Sequence, residues 1–523
     1  MNDRAANDYD VVVVGFGAAG ACAAIEAARA GARVLICDRF YGGGASALSG
    51  GVVYAGGGTA PQREAGVADT PEAMFAYLSE EVGDAVTPAT LRRFCDDSAA
   101  MIDWLAAQGV PFQGSLCPYK TSYPSNHHYL YYSGSEAAGG FRDLAPPAPR
   151  GHRTHGRGAS GKTLWQHLAR AARQAGADIR TGTAVTGLIT DDTGRVTGIT
   201  ANTLTSRRHR ILSRYAAKPG LYVPALRKIL HRHAERLERR HARPIEITAG
   251  AVILATGGFV ANRTMFREHA PAHRAGLPLG TPGDDGTGIR LGQHAGGATR
   301  FLHRVSTWRF ISPPSALLGA ILVDAQGKRI IDESRYGAAL GDALVGRPGW
   351  LLIDQALRDE IRTQLKTQTV WFQRWQTRYL LRTAIKAPTV VEVAAKAGID
   401  PAALTATLAA YNDGPDPKPD EFRRKLVHHP YWLLDISIRP SIAYPCPMLT
   451  LGGLVVHEDT GQVRRSNGSI IDGLYAAGRT AVGVCSNSYV SGLSLADCVF
   501  SGRRAGAHAS AVRQEGGSRA QLG

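Results

Sequence analysis

Long apolar runs are missing from this 523-residue chain, and no uninterrupted stretch reaches the length that crosses a bilayer. A transmembrane anchor is therefore not expected. The first ten residues are polar and lack the apolar centre of a secretory signal. Cysteine is sparse: Cys22, Cys37, Cys95, Cys117, Cys446, Cys485 and Cys498 form no C-x-x-C pair and no framework. Disulfides and a bound metal are not expected, and a reducing, cytoplasmic setting is the economical reading. The glycosylation sequons at Asn262 and Asn467 are then incidental. No internal repeat and no nucleic-acid module is visible, so the net charge of +16 does not by itself imply a nucleic-acid partner.

What is abundant is glycine, 61 residues, much of it in short loops beside apolar runs. The clearest case is Tyr9-Asp10-Val11-Val12-Val13-Val14-Gly15-Phe16-Gly17-Ala18-Ala19-Gly20. A β-branched run reads as a buried parallel strand, and it ends in a G-x-G-x-x-G turn. An alanine-rich helix follows from Ala18 to Ala30, then a second strand from Arg33 to Cys37. Gly15 permits the tight turn, Gly17 lets the backbone approach a pyrophosphate, and Gly20 allows close helix–strand packing. The helix start offers N–H groups and a positive dipole end to phosphates. Asp38 closes the second strand, where a carboxylate can accept from an adenosine ribose and would repel a 2′-phosphate.

Two further segments favour FAD over NAD. Gly42-Gly43-Gly44-Ala45-Ser46-Ala47-Leu48-Ser49-Gly50-Gly51 supplies small residues that can lie flat against a large ligand. Near the other end, Ile471-Asp472-Gly473-Leu474-Tyr475-Ala476-Ala477-Gly478 reads as another buried strand ending at glycine. Ser491-Gly492-Leu493-Ser494-Leu495-Ala496-Asp497 then opens a helix whose N-terminus can stabilise negative charge on a flavin pyrimidine. Nucleotide elements at both ends imply that the middle is inserted. The expected fold is α/β, a Rossmann-like FAD-binding domain (GR2-type) carrying an inserted α+β capping domain. The expected boundaries are 1–298 and 437–523 for the FAD domain and 299–436 for the cap. In the cap, Ile321–Asp324 and Gly327–Ile331 read as strands, and Val390–Ala397 and Ala402–Tyr411 as helices.

These motifs, with Ala255-Thr256-Gly257-Gly258-Phe259, Gly283-Asp284-Asp285-Gly286-Thr287-Gly288 and Thr450-Leu451-Gly452-Gly453-Leu454, resemble the fumarate reductase/succinate dehydrogenase flavoprotein superfamily, which includes the 3-ketosteroid dehydrogenases. The resemblance covers nearly the whole chain. It implies a non-covalent FAD contacted at Gly15, Gly17, Ala18, Ala19, Gly20, Asp38, Arg39, Gly43, Ala45, Ser46, Ser49, Gly50, Gly51, Ala255, Thr256, Gly257, Asp285, Gly478, Arg479, Ser494 and Leu495. Arg479 departs from the Glu that many relatives carry there.

Tyr489-Val490-Ser491-Gly492 looks like the Tyr-x-Ser-Gly of the Δ4-(5α)-dehydrogenases rather than the Tyr-Pro-Gly of the Δ1 enzymes, so the resemblance implies desaturation of a 3-ketosteroid, at Δ4-(5α) ahead of Δ1. By resemblance, Tyr489 polarises the 3-keto oxygen with help from a backbone N–H of the Gly492–Leu495 turn. Ser491 and Tyr336 relay the proton, with Arg335 lowering the Tyr336 pKa. The bland alternative for either tyrosine is packing. Arg335 also keeps a fumarate-like reductase reading in play, and a flavin-bound scaffold without turnover is a third reading. The expected partners are a steroid-like apolar substrate and an external electron acceptor.

Three features stay outside this reading. Tyr119, Tyr123, Tyr129, Tyr131 and Tyr132, with His127 and His128, form an aromatic-rich loop that suits a substrate rim or simple packing equally. Gly156-Arg157-Gly158-Ala159-Ser160-Gly161-Lys162-Thr163 satisfies the Walker A pattern but follows a proline-rich loop instead of a buried strand. The basic insert from Arg207 to Arg243 carries Leu226, Ile229, Leu230 and Leu237 on one helical face. A solvated surface helix is the simpler account of it, and a peripheral membrane contact through residues 223–242 is the alternative.

Overall fold

The computed structural model describes residues 8–206, 235–236 and 238–520, with side chains described to residue 511. The expected amphipathic face of the basic insert, including Leu226, Ile229, Leu230 and Leu237, lies outside the described residues.

Four consecutive valines, Val11 to Val14, are buried because their strand Asp8–Val14 lies in the middle of an eight-stranded sheet. It pairs in parallel with Val34–Asp38 on one side and with Ala242–Leu254 on the other. The C-terminal strand Ile470–Ala476 joins the far edge of Ala242–Leu254, also in parallel, with Leu474 opposite Val252. The two ends of the chain therefore share one sheet. The segment 255–461, between Ala242–Leu254 and Gln462–Arg464, leaves that sheet and returns to it.

Helix Ala18–Arg29 is built from small residues because the C-terminal helix Leu493–Ala520 presses directly on it. A Cβ on Gly502 would sit 2.4 Å from the Ala19 carbonyl oxygen, and one on Gly506 would sit 2.2 Å from that of Ala23. The backbones meet with nothing between them. The second helix runs on past Gly506, and there its small-residue face still lies against the first helix.

The inserted part has its own antiparallel sheet, ordered Ile321–Val323, Trp350–Ile353, Tyr431–Asp435, Ile385–Ala387. Helices Gln355–Gln364, Trp371–Thr383, Val390–Ala397 and Pro401–Asp413 accompany it. Its apolar core is separate from that of the nucleotide sheet. The expected strand Gly327–Ile331 does not form, and only a single bridge from Val323 to Arg329 is made. Arg329 is instead held by Glu333 at 2.8 Å and by Asp416, and Lys418 meets the same buried Glu333 at 2.7 Å. The segment still reaches the sheet edge through the Ile330 N–H, which donates to the Leu322 carbonyl at 2.8 Å.

Below the cap, the two connecting segments pair with each other: Val305–Thr307 with Pro447–Thr450, and Thr299–Arg300 with Gly453–Leu454. A smaller sheet of Val52–Tyr54, Gly151–Arg153 and Leu130–Tyr131 closes one side of the space between cap and nucleotide sheet. Among the described residues, no helix is long and apolar enough to cross a membrane.

Candidate active site

One cavity of about 1320 Å³ runs from the glycine turn to the underside of the cap. Sites for a single small ligand are usually about 300–1,000 Å³, so this volume suits a dinucleotide and a substrate together.

At one end stand Gly15, Gly17, Ala18 and Ala19. Gly15 has φ of +105°, and a Cβ there would lie 2.4 Å from the Ala255 carbonyl oxygen, so the turn admits no side chain. Facing the cavity, Gly17 leaves the start of the first helix open. The Ser46 hydroxyl accepts from the Ala18 N–H at 3.0 Å beside this opening. Asp38, Arg39, Ala45, Ser46, Ser49, Gly50, Ala255, Thr256, Gly257, Asp285, Gly478, Arg479, Ser494 and Leu495 also line the wall. Three residues expected at the cofactor do not. Gly20 packs against the Gly15 carbonyl, Gly43 donates to the Phe16 carbonyl at 2.8 Å, and Gly51 lies against the Ser160 backbone. These three shape the turn and loop from behind.

Two charged residues behave differently from their sequence reading. The Asp38 carboxylate accepts from the backbone N–H groups of Phe16, Phe40 and Gly42 at 3.0, 2.8 and 3.1 Å. It therefore ties the glycine turn to the loop after the second strand, besides facing the cavity. Arg39 is gripped by Glu238 at 2.9 Å and by Asp285 at 3.1 Å, a clamp whose members are far apart in sequence. Arg479 also has a local reason. Its Nη2 donates to Asp284 at 2.8 Å in a buried pair, while its Nη1 is buried without a protein partner. The pair keeps the guanidinium charged despite its burial, which by itself would disfavour the charge.

This wall fits FAD. A helix start without side chains offers N–H groups to phosphate, and a second helix N-terminus, at Ser494 and Leu495, reaches the same space. Arg479, whose Nη1 is buried without a protein partner, lines the same cavity.

At the other end, Trp308, Phe310, Tyr336, Tyr489 and Ser491 line the cavity under the cap. Trp308 stacks on Tyr489 with ring centroids 4.6 Å apart, and Tyr336 lies 6.3 Å from Tyr489. Phe310 closes the slot 5.6 Å from Tyr336. The Tyr336 N–H donates to the Ser135 hydroxyl at 3.0 Å, which fixes this cap residue against the lower body. Burial pushes both phenols well up from their ordinary range, and the Ser491 hydroxyl opposes that only weakly at Tyr336. The expectation that Arg335 lowers the Tyr336 pKa is corrected. Its guanidinium lies over the Phe141 ring at 5.0 Å, and desolvation dominates at the phenol.

Tyr131, given no weight in the sequence reading, is placed against this group. Its hydroxyl lies 3.1 Å from the Ser491 hydroxyl, and the Ser133 hydroxyl donates to the Ser491 carbonyl at 3.0 Å. Within the aromatic loop, the two-residue spacing of Tyr131 and Ser133 was the available signal. The Walker-like loop has no phosphate cradle: the carbonyls of Gly156 and Gly158 both accept from the buried Arg153 guanidinium, at 3.1 and 2.7 Å. Carbonyl oxygens turned toward a cation leave no nest of amides for an anion.

A cavity with a dinucleotide end and an aromatic, hydroxylic end defines a flavoprotein with an enclosed reaction chamber. Residues 10–495 match the family described as FAD binding domain, and the chain belongs to it. Within that family it is similar to the 3-oxo-5-alpha-steroid 4-dehydrogenase of Comamonas testosteroni, at 38% identity over 90% of this chain and 92% of that protein. It also superposes on the 3-ketosteroid-delta4-(5alpha)-dehydrogenase of Rhodococcus jostii RHA1, solved in complex with 4-androstene-3,17-dione. There the TM-score is 0.80 at 31% identity, covering 98% of both chains. A fumarate reductase (cytochrome) of Shewanella frigidimarina is 26% identical over 96% of this chain and 76% of that protein.

Proposed function

We propose that this protein is an FAD-dependent oxidoreductase that desaturates a 3-ketosteroid at the Δ4-(5α) position. The carrying observation is the meeting of Tyr489, Ser491 and Tyr336 in one aromatic slot at the end of the cavity opposite the glycine turn. In this reading residues 1–298 and 437–523 hold a non-covalent FAD, and 299–436 cap the substrate.

A phenol pushed up by burial stays protonated at neutral pH, so Tyr489 donates a hydrogen bond to the keto oxygen and stabilises developing enolate charge. The same property makes Tyr336 unsuited to act as a standing phenolate base. Ser491 and Tyr336 therefore act as a relay: the proton leaving the carbon beside the carbonyl is taken by a hydroxyl as that hydroxyl passes its own proton on. When bound, FAD supplies the hydride acceptor. Trp308 and Phe310 give the flat apolar walls that a steroid ring system needs. Electrons then leave to an external acceptor.

The rival fumarate-like reading needs Arg335 at the substrate, yet Arg335 is not among the residues lining this cavity. Anaerobic mixing tests the choice. A saturated 3-ketosteroid should bleach the oxidised flavin band, while succinate should leave it unchanged. Bleaching by succinate, or by no 3-ketosteroid, overturns the proposal.

A further inference from the structure

Helix Trp371–Thr383 turns its aromatic side chains outward. Trp371 is 81% exposed, Trp375 50%, Phe372 41% and Tyr379 38%, while Thr377 and Leu380 on the opposite face are buried. Trp375 and Tyr379 stack with their ring centroids 6.3 Å apart, so the outer face is an ordered ladder of rings. Exposed apolar residues scattered singly are ordinary, whereas a contiguous aromatic set on one helix marks an interaction surface.

The charge along the ladder's own segment has one sign. Between Arg362 and Lys386 lie Arg362, Lys366, Arg374, Arg378, Arg382 and Lys386, with no aspartate or glutamate. At 3.6 residues per turn, Arg378 and Arg382 flank the Trp371–Trp375–Tyr379 stripe along the same exposed side. Rings that sit at an apolar–polar boundary, edged by cations, are the chemistry of a helix lying on an anionic lipid surface. Position agrees. Trp371 and Phe372 are both exposed and line the large cavity, so one end of the patch borders it.

We infer that helix Trp371–Thr383 docks the protein on an anionic phospholipid surface, with the cavity mouth against the lipid. That the traffic through this mouth is a lipid-soluble steroid rests on the proposed function; the docking itself does not. A second copy of the chain fits the patch less well, because in a two-fold dimer the patch would meet itself and set its cations against one another. Single-stranded nucleic acid also takes aromatics with cations, but it gives no reason for the patch to border the cavity.

The test uses FAD-loaded full-length protein and sedimentation with vesicles, without steroid. Phosphatidylcholine vesicles mixed with phosphatidylglycerol should carry the wild type down, and pure phosphatidylcholine should carry at least about tenfold less. The variants W371S/W375S and R378E/R382E, each leaving the basic insert 207–243 intact, should lose partitioning by at least about tenfold. An unchanged flavin spectrum and thermal midpoint show that each variant is folded. Undiminished binding in both variants overturns the inference. So does a wild type that ignores anionic vesicles but sediments as a dimer, or binds a single-stranded oligonucleotide, through this helix. Because vesicle binding is read without substrate, a protein that docks but does not respond to steroid would sink the functional reading and leave this one standing.

Discussion

Ser491 is positioned by groups that touch it from two sides. Tyr131 meets its hydroxyl at 3.1 Å, and Ser133 donates to its carbonyl at 3.0 Å. Tyr131 is fully buried and is not among the residues lining the cavity, so it acts on the chemistry through Ser491. The consequence is a graded pair of effects. On the proposed mechanism Tyr489→Phe removes the donor to the keto oxygen, and turnover should fall about 100- to 1000-fold with flavin still bound. Tyr131→Phe removes only the partner that orients the serine. It should lower kcat by about tenfold, leave KM nearly unchanged and enlarge the solvent isotope effect, because proton transfer becomes more rate-limiting. Single-turnover flavin reduction measures both. If Tyr489→Phe keeps the wild-type rate, or Tyr131→Phe raises KM alone, the roles assigned here are wrong.

Strand Gly151–Arg153 holds this arrangement from below. It lies between Val52–Tyr54, whose Tyr54 N–H donates to the Gly492 carbonyl at 3.1 Å, and Leu130–Tyr131, which carries Tyr131. Its central residue, His152, is 1% exposed. Nδ1 lies 3.0 Å from the Arg150 carbonyl and must donate to it, so Nε2 is left to accept from the Thr59 hydroxyl at 2.7 Å. Burial holds the imidazole neutral and lowers its pKa from 6.5 to about 4. The sign follows from proton counting: between those values the unfolded chain binds the proton and the folded one does not. The stability is complete above the unfolded value and is lost as pH falls toward the folded one. Between pH 7 and pH 5 the loss should be about 2 kcal/mol. Urea unfolding at the two pH values measures it, and His152→Gln should remove most of the difference. An unchanged pH dependence in that variant would show that other groups carry the acid sensitivity.

The elements that were legible in the sequence are those specified locally. Val11–Val14, the glycine turn, the alanine helix and the Ile470–Ala476 strand carry their pattern within a few residues of each other. The strand expected at Gly327–Ile331 has the right residues but is reduced to a single bridge, beside the Arg329, Glu333, Asp416 and Lys418 cluster. At the site, the Tyr-x-Ser-Gly stretch was visible as a motif. The partners of Ser491, Arg39 and Arg479 were not, because Tyr131, Glu238 and Asp284 are 360, 199 and 195 residues away from them. A composition rich in tyrosine around residues 119–132 says that rings are present, and only the pairing of strands says which one faces the serine.

At the scale of the whole molecule, the nucleotide sheet and the cap sheet have separate apolar cores, and polar links join the cap to the lower body. The Ser122 N–H donates to the Ser312 carbonyl at 3.2 Å, the Ser312 hydroxyl to the Lys120 carbonyl at 2.9 Å, and the Tyr336 N–H to the Ser135 hydroxyl at 3.0 Å. A ligand stabilises the structure that binds it by mass action, by about 2.7 kcal/mol at a hundredfold excess over Kd. FAD seated along the glycine turn contacts elements of the first core, and a cap that opens as its own cooperative unit does not share that gain. Hydrogen exchange read by mass spectrometry should show this on removal of FAD. Helix Ala18–Arg29 and the first turns of Leu493–Ala520 should lose protection by about 100-fold, following the binding term. The cap strands Trp350–Ile353 and Tyr431–Asp435 should change by less than about threefold. Equal losses in both regions would mean that the polar links couple the cores into one unit. The cap could then not open to admit a substrate without loosening the flavin, and entry would have to run through the rim at Trp371 with the cap closed.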